Sequence, residues 1–277
     1  MELSVYSLSA PDYDIPAAAE LLADIGYTGV EWTVDYQNAL WDGQSNWHID
    51  TTRLAESARA AWKACAEHGL SIVALGARCT LTDVDDVRRH MNVAGEVGSP
   101  AIRVHGPGYD GSEHIDTLVA RARGALERIE NLSRSTGVKA LIEIHNGRIV
   151  ASASGTRRVV DGFDPECVGV IFDPGNMVRE GVENWQMGAE LLADWIADVH
   201  VKNCGWFRGE DGEWSTRDMA LDEGLVDWAA VIGALKSVGY DGFLSIEDFR
   251  PGYAQASEEF PTRRKLQEDY DYLSGLL

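Results

Sequence analysis

Basic residues are scarce in this sequence. Its 277 residues hold 24 Lys and Arg against 45 Asp and Glu, a formal net charge of −21. That field repels phosphate backbones, so nucleic-acid binding is not expected. Cysteine is also sparse: Cys65, Cys79, Cys167 and Cys204 show no C-x-x-C spacing and read as reduced thiols of a cytoplasmic protein. No apolar run approaches the ~20 residues that span a bilayer, which predicts no membrane partner. The opening Met1–Ser7 lacks the basic and long apolar regions of a secretion signal. No G-x-G-x-x-G follows the first strand-like run, where Ser7-Leu8-Ser9-Ala10-Pro11 stands instead, and no low-complexity linker divides the chain.

What is present is an alternation. Short runs of strand formers recur at Leu3–Leu8, Gly29–Trp32, Ser71–Leu75, Ala101–Val104, Lys139–Glu143, Val168–Phe172, Ile196–Val201 and Phe243–Ile246. Helical patterns lie between them, over Ile15–Ile25, from a Thr51 or Thr52 cap to His68, and over Asp83–Val97, His114–Ser135, Ser154–Val160, Met177–Leu192 (in part) and Val226–Val238; a last one runs from about Glu258. Glycine ends several of them. Alternation implies a parallel sheet, and eight βα units imply a single closed (β/α)8 TIM barrel, one domain over residues 1–277. Two long loops are expected, Thr33–Asp50 and Asn203–Gly224.

In such a barrel the strand C-termini share one face, where active sites sit. Four strands end at metal-ligand types: Glu143, Asp173, His200 and Glu247. Three carboxylates and one imidazole suit Mn²⁺, Mg²⁺, Co²⁺ or Zn²⁺. Three acids crowded together without a cation would repel one another. The plainer alternative makes each a rim residue satisfied by a helix N-terminus or an arginine. Cys204 is near His200 in sequence, but oxygen-rich company argues against sulfur as a ligand. Glu31, His105, His145, Asn176 and Lys202 also fall at strand ends and are candidates for substrate contacts; His145 shares a face with Glu143, and Lys202 with His200. Arg148 and Arg208 are weaker candidates. The long loops carry Trp32, Tyr36, Trp41, Trp47, Trp206, Phe207 and Trp214. These rings either stack on a ligand or fill the small cores that large loops need. Few Lys and Arg are expected at the mouth, which argues against a phosphorylated substrate.

Several stretches stand out together: Gly26-Tyr27-Thr28-Gly29-Val30-Glu31, Glu143-Ile144-His145, Asp173-Pro174-Gly175-Asn176, His200-Val201-Lys202, and Gly239-Tyr240-Asp241-Gly242-Phe243-Leu244-Ser245-Ile246-Glu247 preceded by Glu223-Gly224-Leu225-Val226-Asp227-Trp228. With them the chain resembles, over nearly its whole length, the sugar phosphate isomerase/epimerase superfamily of xylose-isomerase-like barrels. The resemblance implies one divalent ion, Mn²⁺ first, on Glu143, Asp173, His200 and Glu247. It makes Glu143 and Glu247 the acid/base pair that moves a proton beside a carbonyl, in a keto-sugar or polyol isomerase or epimerase. A lyase that enolises and then eliminates, as in inosose dehydration or cleavage of 3-keto-glycosides, is the alternative. Partners would be a sugar or glycoside and further copies of the chain, with or without a small second subunit. Two positions depart from the family pattern: Asn176 stands where a His is usual, and Trp206 where an Arg is usual, with Arg208 two residues on. The departures turn attention to His145 as a catalytic base and to Lys202.

Overall fold

The computed structural model describes residues 1–35, 48–252 and 257–277. Eight parallel strands close into a barrel: β1 (Glu2–Tyr6), β2 (Gly29–Asp35), β4 (Ser71–Gly76), β5 (Ala101–Val104), β6 (Lys139–Glu143), β7 (Val168–Phe172), β8 (Ile196–Val201) and β11 (Phe243–Ile246). Each pairs with its sequence neighbour, and β1 pairs with both β2 and β11, so no edge is left open. A two-residue β3 (Ile49–Asp50) extends β2 outward. The strands are almost wholly buried, which explains why they read as apolar runs rather than alternating ones.

The helices are α1 (Ile15–Ile25), α2 (Leu54–His68), α3 (Val84–Glu96), α4 (Ile115–Thr136), α5 (Ala153–Val160), α6 (Pro174–Arg179), α7 (Trp185–Leu192), α8 (Trp228–Ser237) and α9 (Thr262–Ser274). Local chemistry fixes their ends. The Asp14 carboxylate accepts the Ala17 N–H to start α1, and Gly26, at φ 118°, closes it in a conformation that costs other residues a Cβ clash. The cap before α2 is not a threonine. Asp50 accepts the Thr52 N–H and opens a 3-10 turn, Thr51–Arg53, that leads into the helix. Among the described residues no helix is long and apolar enough to cross a membrane.

The second long loop is not structureless. It folds into an antiparallel hairpin of β9 (Asn203–Arg208) and β10 (Trp214–Met219), which leaves the barrel directly after β8. Asn203 anchors its base: its amide donates to the Leu221 and Val226 carbonyls, and its Oδ1 accepts the Cys204 and Val226 N–H groups. Eight well-separated strand signals were readable in sequence, whereas this hairpin carries a polar, charged turn (Gly209–Glu213) that hides its pairing.

A candidate metal centre at the barrel mouth

Glu143 ends β6, Asp173 and Glu247 follow β7 and β11, and His200 is the penultimate residue of β8. The barrel brings one ligand atom from each within 4.8 Å of the others, and all four side chains are buried. Parallel register is the cause: it delivers the C-termini of neighbouring strands to one level.

His200 sits at the centre. Its Nε2 lies 2.6 Å from Glu31 Oε2, on β2 across the barrel. That contact assigns the proton to Nε2 and leaves the Nδ1 lone pair toward Glu143 Oε1 and Glu247 Oε1, 3.3 Å from each, and Asp173 Oδ2 at 3.8 Å. A carboxylate behind a histidine, with the opposite ring nitrogen facing acids, is the arrangement that prepares an imidazole for a cation. His200 Nδ1 and Glu143 Oε2 are buried with no hydrogen-bond partner, as ligands awaiting a metal are. Without a metal, burial disfavours the charged imidazole, yet Glu247 and Glu31 hold its pKa well above the ordinary histidine value. Burial pushes the glutamates up, but Arg103 and His200 hold Glu143 well below the usual range, and His200 and Lys202 bring Glu247 to about 2. Asp198, on the same face of β8 as His200, is pushed by burial to about 8 and is neutral at pH 7. The buried Glu31, Glu143, Asp173 and Glu247 therefore face two permanent cations, Arg103 and Lys202. A positive ion would offset the acids that outnumber these cations. Donor set, orphaned atoms and charge all fit such an ion.

Asp173 shows why its environment is so ordered. Its Oδ1 accepts the Asn176 N–H and caps α6. Its Oδ2 accepts from Asn176 Nδ2 at 2.5 Å and Lys202 Nζ at 2.5 Å. Lys202 also donates to Glu247, so its ammonium bridges two of the four acids. Asn176 Nδ2 further reaches the Ile144 carbonyl at 3.0 Å.

A cavity of about 260 Å³ opens above the cluster, lined by residues that include His105, Glu143, His145, Asn176, Lys202 and Glu247. His105 and His145 meet edge to face with centroids 5.8 Å apart. His105 Nδ1 is 3.4 Å from Glu143 Oε2, and burial holds its pKa well below the ordinary value, so it is neutral. His145 Nδ1 donates to the Asn146 carbonyl at 2.7 Å, which leaves Nε2 as the acceptor of that ring.

Three expectations change. Glu31 does not line the cavity; fully buried, it is held behind His200. Arg208 and Trp206 stand on the hairpin outside the cavity lining, Arg208 Nε on the Gly212 carbonyl and Trp206 Nε1 on the Val178 carbonyl. The mouth is also not poor in cations: Arg78, Arg103, Arg179 and Lys202 all line it. Arg78 pairs with Asp35, and Arg179 with Asp218 of β10. Arg148 lies close by with Nη1 on the Gly106 carbonyl. Cys204 Sγ contacts the Gly175 carbonyl instead of the cluster, and all four cysteines are buried and free. Trp32 is core, its indole N–H 3.2 Å from Cys65 Sγ. Tyr36, Trp41 and Trp47 lie outside the described residues.

Arg103 is the residue that sequence reading missed. Its Nη1 lies 3.7 Å from Glu143 Oε2 and 4.0 Å from Glu247 Oε1, its Nε 3.9 Å from Glu31 Oε1, and Nη2 donates to the Tyr6 hydroxyl at 2.8 Å. The signal was available: a lone charge inside the apolar run Ala101–Val104, two residues before His105 and so on the same face.

A family model described as a xylose isomerase-like TIM barrel matches residues 19–274. Inosose dehydratase of Lacticaseibacillus casei is 23% identical over 150 residues, 50% of each protein, so the chain spans about half the length of that curated relative. Among solved structures, the IolI protein with a zinc atom superposes with a TM-score of 0.78 at 15% identity, covering 100% of this chain and 98% of that one. The 3-keto-D-glucoside 4-epimerase YcjR of E. coli gives 0.67 at 18% identity, covering 95% and 93%. With the family pattern extending over almost the whole barrel, the chain belongs to the xylose isomerase-like TIM barrel family.

Proposed function

We propose that this protein is a divalent-metal-dependent enzyme that moves a proton on a carbon beside a carbonyl of a keto-sugar or polyol, as an isomerase or epimerase. The observation that carries the reading is the four-ligand cluster with its orphaned His200 Nδ1, set at the floor of a polar cavity. The zinc atom in the IolI structure and the sugar substrates named for the relatives support it. Glu143, Asp173, His200 and Glu247 would hold the ion; this oxygen-rich set suits Mn²⁺ first, with Mg²⁺, Co²⁺ and Zn²⁺ as alternatives. Bound there, the ion supplies Lewis-acid polarisation of a carbonyl and a neighbouring hydroxyl.

The chain's own groups do the rest. Glu143 and Glu247, ionised at neutral pH, take and return the proton. Lys202 holds Asp173 and Glu247 in place and offers an ammonium to a developing oxyanion. His145, through Nε2, is a second base or acid on the cavity wall, and His105 and Asn176 orient hydroxyls. Arg103 keeps Glu143 charged, and Glu31 keeps the His200 tautomer.

The test is solvent exchange. Protein loaded with Mn²⁺ is incubated in D₂O with ketoses, inososes and 3-keto-glycosides, and NMR follows label and products. Deuterium in a recovered or isomeric sugar is the expected result. A dehydrated sugar or a released aglycone instead makes the protein a lyase built on the same first step. No label and no product from any compound, with the ion bound, overturns the reading.

A further inference from the structure

The hairpin has two unlike faces. In an antiparallel pair, residues directly opposite share a face. The register sets Cys204 opposite Asp218, Trp206 opposite Thr216, and Arg208 opposite Trp214, so these six lie on one face. Its inner rungs cover α6: Cys204 Sγ meets the Gly175 carbonyl, Arg179 donates to Asp218 and Thr216, and the Trp206 indole N–H is 3.0 Å from the Val178 carbonyl. Asp218 and Arg179 line the cavity. Moving outward from that wall, rungs on one face recur about every 7 Å. The first carries Trp206, 42% exposed, and the next carries Trp214, 62% exposed. On the opposite face Phe207 is already covered, with the Arg217 guanidinium 4.1 Å from its ring centre. The hairpin thus builds its small core on one side and leaves two indoles uncovered on the side continuous with the cavity.

We propose that Trp206 and Trp214 form a stacking shelf for a flat aromatic ring joined to the sugar, so that the substrate is an aryl glycoside rather than a free monosaccharide. The inference rests on the sugar reading of the cavity. At about 260 Å³ the cavity falls below the ~300–1,000 Å³ of sites for drug-sized ligands and suits one sugar ring, so a second ring must lie outside it. The shelf chemistry favours an aromatic ring over a second sugar. The Trp206 N–H is occupied by the Val178 carbonyl, so that ring presents its π face rather than a donor, and the exposed Trp214 adds a second ring one rung out. The Val178 bond also fixes the Trp206 ring in advance, which lowers the ordering cost of binding.

Affinities of the Mn²⁺-loaded full chain for the phenyl and methyl 3-keto-β-D-glucopyranosides, which carry the ketone the proposed chemistry needs, measured by calorimetry, test this. The phenyl compound is expected to bind about three- to tenfold more tightly, as one stacked pair provides. In Trp206→Ala/Trp214→Ala that ratio falls to about one, whereas Trp206→Phe/Trp214→Phe keeps most of it, which separates stacking from a folding defect. A ratio near one in the unaltered chain, or alanine and phenylalanine variants that behave alike, overturns the shelf while leaving the sugar reading intact. If neither glycoside binds, the sugar reading itself fails and the shelf falls with it. If light scattering shows that Trp214→Ala separates copies of the chain and the ratio is unchanged, the indoles are an interface between copies, and the proposal is wrong.

Discussion

At the scale of single residues, Glu143 and Glu247 carry the heaviest demand, because the proposed chemistry asks them to hold an ion and to exchange a proton. Glutamine keeps their shape but cannot accept the proton. Glu143→Gln and Glu247→Gln should fold, as judged by circular dichroism, and lose turnover by about 10²–10⁴-fold; near-normal turnover with the ion bound would remove the acid/base assignment. Glu31 acts one step back. Removing its bond to His200 Nε2 frees the ring to rotate or change tautomer, so Glu31→Ala should weaken metal affinity by about 10–100-fold. An unchanged affinity would make Glu31 only a buried partner of Arg103. Protons compete for the same nitrogen. In the metal-free protein the pKa of His200 is raised by Glu247 and Glu31 against the pull of burial, so it is protonated at neutral pH. Binding an ion must release that proton, and apparent affinity should rise with pH, about tenfold per unit, below that raised pKa. Titrations at pH 6, 7 and 8 check the slope, and a flat one contradicts His200 as a ligand.

At the scale of elements, the site depends on how β8 continues into β9. Asn203 turns the chain out of the barrel and ties the hairpin base to the segment before α8 through three hydrogen bonds, to Leu221 and Val226. Gly224 makes room for it: a Cβ there would overlap the Asn203 side chain. Gly224→Ala should therefore destabilise the protein by about 1–3 kcal/mol through overpacking, read as a lower melting temperature. A melting temperature equal to the unaltered chain's would show that the loop yields freely. Gly175 plays a similar part beside the acids. A Cβ on it would meet Lys202 Cγ and, at 3.2 Å, the Lys202 carbonyl, so the start of α6 and the lysine that bridges Asp173 and Glu247 can approach only because this residue is glycine.

For the whole molecule, an ion held by these ligands from four strands would tie β6, β7, β8 and β11 together. Such binding stabilises the folded state by mass action, by about 2.7 kcal/mol at a hundredfold excess over Kd. Melting temperature should rise on adding Mn²⁺ and return with a chelator. The metal-free barrel should also respond to pH in a definite sense. Burial raises Asp198 to about 8 when folded, against an ordinary value of 3.8. An acid with a raised folded pKa contributes its stability below the unfolded value and loses it as pH climbs through the folded one. The raised pKa of His200 acts in the same direction above its ordinary 6.5. Metal-free protein should thus melt at lower temperature at pH 8 than at pH 7, a window above the ordinary 6.5 of the buried His48, His90 and His105, whose lowered pKa values act in the opposite sense below it. Asp198→Asn should flatten that slope, and an unaltered slope would show that Asp198 does not set it.

The sequence by itself determined the eight-strand alternation and the ends of most helices, because burial on both faces demands apolar runs and because caps and stops are local chemistry. It also determined that Glu143, Asp173, His200 and Glu247 would meet, since a closed parallel barrel brings strand ends to one rim whatever lies between them. Tertiary structure alone decided what surrounds those four. Glu31 reads in sequence like any strand-end acid, but the closure of β1 on β2 and β11 sets it across the barrel behind His200. Arg103 is a single charge in a buried strand until Glu143, Glu247 and Tyr6 converge on it from other strands. The two tryptophans of the second long loop acquire a shared face only through cross-strand pairing, which depends on residues six to ten positions apart meeting through a turn that carries no strong signal of its own. Local propensity and period are written along the chain; which side chains oppose one another across a barrel or a hairpin is fixed by contacts between distant segments, and those exist only once it has folded.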